Sequence, residues 1–174
     1  FVDQLRHALA RHPLVQHGDL ELEVLETSAL EDIAHLSDIM TACRMIGVDF
    51  ALDDFGTGYS SLTYLKRLPA RLLKVDQSFV RDMLDDPEDL AILEGVVGLA
   101  QAFRRQVIAE GVETLAHGEL LLQMGCEYGQ GYAIARPMPA HDIASWLARW
   151  HPSPAWGRSQ RARSEDRPLL FAMV

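Results

Sequence analysis

Strand-like and helix-like segments alternate along this chain of 174 residues. Short apolar runs precede longer segments whose apolar residues recur at helical spacing, and glycine, proline or capping residues separate the two. The predicted strands are 20–25, 48–53, 72–76, 107–110 and one within 127–134, and the predicted helices are 1–11, 28–46, 60–67, 86–105, 114–124 and 140–150. Repeated strand-helix units predict a parallel sheet with helices packed outside it, as either a barrel or a doubly wound fold.

Capping residues mark the ends of several predicted helices. Ser28 and Glu31 have the spacing of a capping box, and Asp86 stands before a first-turn proline. Thr114 is the predicted cap of a later helix that Gly125 ends. After residue 150 the composition changes to proline, serine, arginine and glutamine, so we predict a domain over 1–150 and a loosely ordered tail over 151–174.

Composition limits the class of protein and of partner. Hydrophobic residues make up 48% of the chain, which is typical of a globular domain. The formal net charge of −9 argues against a nucleic acid polymer as the partner. The two cysteines, Cys43 and Cys126, are far apart and have no metal-ligand spacing. No apolar run reaches the ~18–20 residues of a membrane span, so we predict a cytoplasmic chain or the cytoplasmic part of a longer one.

Two adjacent acids, Asp53 and Asp54, end an apolar run and are followed at once by Gly56 and Gly58. Neighbouring side chains of a regular strand point to opposite faces, so both carboxylates can serve one site only where the backbone turns. Glycine permits such a turn, and paired carboxylates are the ligands that hard divalent cations prefer. The same residues also suit an ordinary solvated turn, and the two interpretations weigh about equally on this segment alone.

Polar side chains recur at the carboxyl ends of all five predicted strands. In parallel α/β folds these ends form the active-site face, which favours a functional site over five separate solvated turns. Several carboxylates with one lysine suit metal-assisted hydrolysis of a phosphodiester, with two divalent ions about 3.5–4 Å apart. The strand-end residues are Glu23, Glu26, Asp53, Asp54, Lys74, Asp76, Glu110, Glu113 and Gln130.

Other common site motifs are missing from the sequence. There is no Gly-x-x-x-x-Gly-Lys phosphate loop and no His-Glu-x-x-His pair among the seven histidines. His35 and His117 fall on predicted helices, and we expect both at the surface and not as metal ligands.

Five ordered motifs resemble those of the EAL-domain phosphodiesterases. The resemblance covers 1–150 and rests on residues 21–27, 53–60, 73–80, 109–114 and 129–132 with 136–137. The resemblance implies a TIM-like barrel and hydrolysis of cyclic di-GMP to linear pGpG. It implies that the cofactor is a pair of divalent ions, either Mg²⁺ or Mn²⁺. It also implies a homodimer, or fusion to sensor or GGDEF domains in a longer protein.

The resemblance also implies a role for individual residues. Glu23, Asp53 and Asp54 would be metal ligands, and Lys74 would lie beside the catalytic water. Glu110 would be a metal-linked carboxylate or general base. The remaining roles would be nucleotide binding by Gln130 and Asp76, and anchoring of the loop after the second strand by Glu26, Gly56, Gly58 and Glu113.

Two features of the family pattern are missing. The Glu-Ala-Leu motif does not occur, and the chain contains no asparagine, although the family uses a glutamate and an asparagine as metal ligands there. The chain therefore resembles the C-terminal two thirds of the domain, a barrel incomplete at its N-terminus. An open barrel has unpaired strand edges, so we expect the chain alone to be poorly stable or completed by another chain.

Three functions remain open on the sequence. The first is cyclic di-GMP phosphodiesterase activity, which the retained carboxylates and lysine favour. The second is a catalytically inactive module that binds nucleotide or a partner, which the two missing ligands favour. The third is a fragment without function.

Overall fold

A computed structural model of the chain describes residues 1–26, 32–58 and 62–158. The described chain divides into two compact units. The first comprises the described residues of Phe1–Lys74 and Leu99–Gln106, and the second comprises those of Val75–Gly98 and Val107–Val174. Thr27, the capping box of Ser28 and Glu31, the start of the predicted helix 60–67 and most of the tail lie outside the described residues.

The first unit contains three strands and three helices. The order is α1 (Val2–Ala10), β1 (Leu20–Leu25), α2 (Ile33–Arg44), β2 (Val48–Phe55), α3 (Leu62–Arg67) and β3 (Leu72–Val75), whose last residue is counted with the second unit. β1 pairs with β2 in parallel, from Leu20 beside Val48 to Leu25 beside Asp53. β3 is the other neighbour of β2, so the polar ends of the three strands share one edge of the sheet.

Local signals explain the ends of α2. The Asp32 carboxylate accepts a hydrogen bond from the His35 backbone N–H at 3.0 Å and so caps the helix. Gly47, at a φ of 88°, directly follows the predicted helix 28–46 and turns the chain into β2. The β2 side chains Phe50 and Leu52 are then buried in the core.

The second unit contains the remaining elements, most of which the sequence predicts. These are α4 (Gln77–Asp82), α5 (Pro87–Ala102), β4 (Gln106–Glu110), α6 (Leu115–Met124), β5 (Tyr128–Gln130), α7 (Ala140–Leu147) and α8 (Pro154–Arg158); the ends of α5 and β4 nearest each other belong to the first unit. β4 and β5 are parallel, with Glu110 beside Gln130. The predicted cap and stop of α6 are confirmed, since Thr114 Oγ1 accepts from the His117 N–H and Gly125 has a φ of 89°.

The expectation of a loose tail does not hold for its first part. Residues Pro154–Arg158 form α8, and Trp156 is only 1% exposed. A tryptophan buried to this degree stabilises the segment that carries it. The proline-rich composition did not predict this ordered segment. Among the described residues, no helix combines the length and the apolar character that crossing a bilayer requires.

Both cysteine thiols are expected to be unreactive in the folded protein. Cys43 is fully buried and Cys126 is 1% exposed. Burial raises the pKa of the Cys43 thiol, and it raises the pKa of the Cys126 thiol to about 12. Because the thiolate is the reactive form, Ellman's reagent at pH 8 should label neither cysteine until denaturant is added. Rapid labelling of one thiol in the folded chain would contradict this expectation.

Candidate functional site

Lys74 is the centre of a charged cluster in the first unit. Its side chain is 6% exposed, and its Nζ lies 2.7 Å from Glu23 Oε1 and 2.9 Å from Asp53 Oδ1. The three residues come from β1, β2 and β3, whose adjacent order brings the predicted ligands together. A lysine this buried stays charged only beside partner carboxylates, so the cluster depends on all three groups.

The chain turns at Asp54 in the way that the paired acids require. Asp54 has a φ of 53°, a left-handed conformation that is uncommon for residues other than glycine. Gly56 follows with a φ of 103°. One carboxylate oxygen of Asp54 lies within 4.8 Å of one from Asp53, although regular strand geometry would place the two side chains on opposite faces.

The carboxylates of Asp53 and Asp54 fit a divalent cation. Asp53 Oδ1 is buried, and among the described residues no donor gives it a hydrogen bond of good geometry. Its 2.9 Å contact with Lys74 is therefore an electrostatic pairing outside the angles of a hydrogen bond. A buried carboxylate oxygen with unused acceptor capacity, beside a second carboxylate, is a suitable donor set for Mg²⁺ or Mn²⁺.

Glu26 holds the loop that follows these acids. It is 3% exposed, and its Oε2 accepts a hydrogen bond from the Gly56 N–H at 3.0 Å. Its own backbone N–H donates to the Asp53 carbonyl at 3.1 Å. A Cβ at Gly58 would lie 3.4 Å from Glu26 Cδ, so the loop passes close to this carboxylate. Tyr59 and Ser60 of the same motif lie outside the described residues.

Glu26→Ala is expected to loosen the loop and weaken its response to metal. The substitution leaves the Gly56 N–H without its acceptor, at a cost of about 1–3 kcal/mol. Mn²⁺ should then raise the melting temperature less than it does in the wild type. Glu26→Gln is the matched control, because its amide oxygen can still accept the hydrogen bond. An unchanged Mn²⁺ response in Glu26→Ala would contradict the anchoring role.

The second unit contains a cavity of about 250 Å³. Three residues predicted for the site line it, namely Glu110, Glu113 and Gln130. Their convergence follows from the register of β4 and β5. The other residues that line the cavity are Gln77, Gly111, Gly131 and Tyr132.

Backbone contacts hold the loop between Glu110 and Glu113. The Val112 N–H donates to the Gln130 carbonyl at 3.0 Å, and the Val112 carbonyl accepts from the Ala133 N–H at 2.9 Å. Gly111 has a φ of 76°, and a Cβ there would lie 2.8 Å from Gln77 Cβ. Gln77, which is not among the predicted site residues, thus packs on a glycine between the two glutamates.

A second cavity of about 320 Å³ lies beside the same strand end. It contains the predicted Gln130, and the Arg136 guanidinium stacks 4.4 Å above the Tyr132 ring. An exposed aromatic ring stacked with a guanidinium can contact a flat ligand through the ring and an anionic ligand through the guanidinium. The remaining lining residues are Gly129, Gly131, Ile134, Ala135, Pro137, Met138 and Ile143.

In the second unit, His117 differs from its expected place, and Asp76 has a capping role in addition to the predicted substrate contact. Asp76 lines neither of these two cavities but caps α4, where its Oδ1 accepts from the Ser78 N–H at 2.9 Å and from the Ser78 hydroxyl. A substrate contact of Asp76 stays a prediction. The expected surface position of His117 is wrong, because this side chain is 5% exposed and its Nδ1 accepts from the Glu113 N–H at 3.3 Å.

The sequence matches the family described as the EAL domain over residues 1–137. This chain belongs to the EAL domain family. The bifunctional diguanylate cyclase/cyclic di-GMP phosphodiesterase MucR of Pseudomonas aeruginosa is 44% identical over 147 residues, which are 84% of this chain and 21% of that protein. The EAL chain spans between 18% and 22% of the first three such relatives.

Solved EAL structures have the same fold. The PaMucR phosphodiesterase in its c-di-GMP complex has a TM-score of 0.77 and 44% identity, over 82% of this chain and 57% of that chain. The manganese/cy-diGMP complex of BlrP1 from Klebsiella pneumoniae has a TM-score of 0.72 and 33% identity, over 78% of this chain and 34% of that one. The predicted α/β fold class, the TIM-like barrel of EAL domains, is thereby confirmed.

Proposed function

We propose that this EAL chain is the catalytic part of a metal-dependent phosphodiesterase that hydrolyses cyclic di-GMP to linear pGpG. The observation that carries the proposal is the cluster of Glu23, Asp53, Asp54 and Lys74 at one edge of the sheet of the first unit. A binding module needs no buried lysine held between two carboxylates beside a further acid. The relatives whose names include cyclic di-GMP phosphodiesterase activity support the choice of substrate.

The chain's own residues supply binding, charge and orientation. Glu23, Asp53 and Asp54 would be ligands of the metal, two Mg²⁺ or Mn²⁺ ions in the family. The family pattern gives Glu110 of β4 the separate role of a metal-linked carboxylate or general base. When bound, the ions would activate a water and neutralise charge on the phosphodiester. Lys74 fixes the two carboxylates beside it. In the proposed reaction its positive charge would lie beside the attacking water. Gln130 and Tyr132 would contact the nucleotide from the exposed side of their cavity.

The direct test is turnover of cyclic di-GMP by this chain with Mn²⁺, followed by chromatography against authentic pGpG. Product that forms with Mn²⁺ and disappears with excess EDTA supports the proposal. A folded chain that forms no product under either condition contradicts it for this chain.

A nucleotide-binding module without hydrolysis is the second candidate. One observation favours it: Gln130 and the Arg136–Tyr132 pair line a cavity that suits a flat or anionic ligand without any part of the acidic cluster. Titration calorimetry with cyclic di-GMP separates the candidates, since binding without pGpG formation is the result that the second one predicts.

We also infer that the chain works as a homodimer or next to GGDEF or sensor domains. The name of the bifunctional relative, which pairs a cyclase with a phosphodiesterase, supports a fused partner domain. Light scattering on the 174-residue chain tests the dimer, and a monodisperse monomer that unfolds cooperatively contradicts it.

A further inference from the structure

Trp156 of α8 lies on the first turns of α6. The indole is 1% exposed, and its Nε1 donates a hydrogen bond to the Leu115 carbonyl at 3.0 Å. Leu115 is the first residue of α6, directly after the cap Thr114. The helix α8 therefore holds α6 at the end that follows the loop of Glu110 and Glu113.

Gly118 makes the close approach of the indole possible. A Cβ at this position would lie 2.4 Å from Trp156 Nε1 and 2.6 Å from its Cε2. A Cβ does not make non-bonded contacts this short, so a side chain at 118 requires the indole or its surroundings to shift. Glycine has a low helix propensity, and the close packing of Trp156 explains why a glycine occupies this helical position.

Hydrogen bonds continue from α6 to the cavity. The His117 backbone N–H donates to Thr114 Oγ1 at 3.2 Å, and the buried His117 Nδ1 accepts from the Glu113 N–H at 3.3 Å. Glu113 lines the cavity of about 250 Å³ together with Glu110 and Gln130. An unbroken series of contacts thus joins the C-terminal helix to the backbone of Glu113.

We propose that Trp156 is a positioning residue that clamps the first turns of α6 and thereby fixes the loop of Glu110 and Glu113 at the cavity. The effect of this clamp on turnover rests on the proposed phosphodiesterase function. The clamp itself does not, because the contacts that form it are independent of the reaction.

The first test uses two substitutions of helical glycines. Gly95 in α5 has open space where a Cβ would be, so Gly95→Ala is expected to raise the melting temperature by about 2–4 °C. Gly118→Ala should instead lower it, because the methyl group displaces Trp156. Opposite signs for the same chemical change support the clamp, and a rise for both variants overturns it.

The second test follows the Glu113 amide by hydrogen exchange in the 174-residue chain. Gly118→Ala and Trp156→Phe, which keeps a ring but loses the N–H donor, should each speed its exchange by about tenfold or more through local opening. His117→Leu should do the same, whereas His117→Asn retains an acceptor near the position of Nδ1 and should restore slow exchange. Unchanged exchange of the Glu113 amide in Gly118→Ala and Trp156→Phe overturns the proposal.

Turnover separates positioning from folding. Well below its melting temperature, Trp156→Phe should lower kcat for cyclic di-GMP by about tenfold with little change in KM, because the loop is misplaced and not unfolded. An unchanged kcat contradicts the positioning role. If the wild type has no turnover, the proposed function fails, and the clamp is judged on melting temperature and amide exchange alone.

Discussion

Asp53→Asn is expected to reduce cyclic di-GMP turnover more than about 100-fold. Mutating a residue that only hydrogen-bonds to a metal ligand typically costs about 10- to 100-fold, and a direct ligand should cost more. The substitution keeps the shape of the side chain and removes its charge. Asp53 Oδ1 is the buried oxygen with unused acceptor capacity beside Lys74 and Asp54, so the variant loses its strongest donor to a divalent ion. The nucleotide contacts proposed for Gln130 and Tyr132 do not involve this charge, so binding of cyclic di-GMP should survive.

The measurement pairs pGpG formation with titration calorimetry, and Asp49→Asn is the control. Asp49 lies on the same strand and face, four residues or roughly 13 Å earlier, where it pairs with Arg44 and Arg71. The Asp49→Asn substitution removes the same charge from β2 without changing a residue of the site, so turnover should change little. Unchanged turnover in Asp53→Asn, or equal losses in both variants, would contradict a metal ligand at position 53.

The convergence of the acids with Lys74 is predictable from sequence because it depends on topology. Short apolar runs, caps and glycine stops define β1, β2 and β3, and parallel neighbours must end at one edge. Glu23, Asp53 and Lys74 then meet without any long-range signal in the sequence. The turn at Asp54 is predictable for the same reason, since two adjacent acids can share a site only where the strand geometry breaks.

The missed features depend on packing between distant segments. Asp76 follows β3, and its capping of α4, which begins at the next residue, is the part that the sequence did not predict. His117 has the sequence context of a surface helix, yet it is buried and accepts a hydrogen bond from the Glu113 N–H. Trp156 stands among prolines and serines, which do not indicate a buried side chain. Its close packing requires the glycine at position 118, which is 38 positions earlier. No local pattern encodes such a pairing.

Lys74→Met is expected to destabilise the chain without metal and to increase its stabilisation by Mn²⁺. The substitution leaves the carboxylates of Glu23 and Asp53 facing each other with no cation between them. Breaking a buried pair costs about 3–5 kcal/mol, and the lower end applies because the Glu23 side chain is 42% exposed. A divalent ion bound as proposed, close to these carboxylates, should recover more free energy in the variant than in the wild type.

Urea unfolding with EDTA and with Mn²⁺ measures both effects, and Lys66→Met is the control. The chain has only two lysines, and Lys66 is exposed on α3. Its loss removes the same charge from solvent, where a single surface charge contributes at most about 1 kcal/mol. Equal destabilisation by the two substitutions would mean that the Lys74 pairings carry no special energy. If Mn²⁺ stabilised Lys74→Met no more than the wild type, the carboxylates beside Lys74 would not be those that hold the ion, and the assignment of Glu23 and Asp53 as ligands would fail.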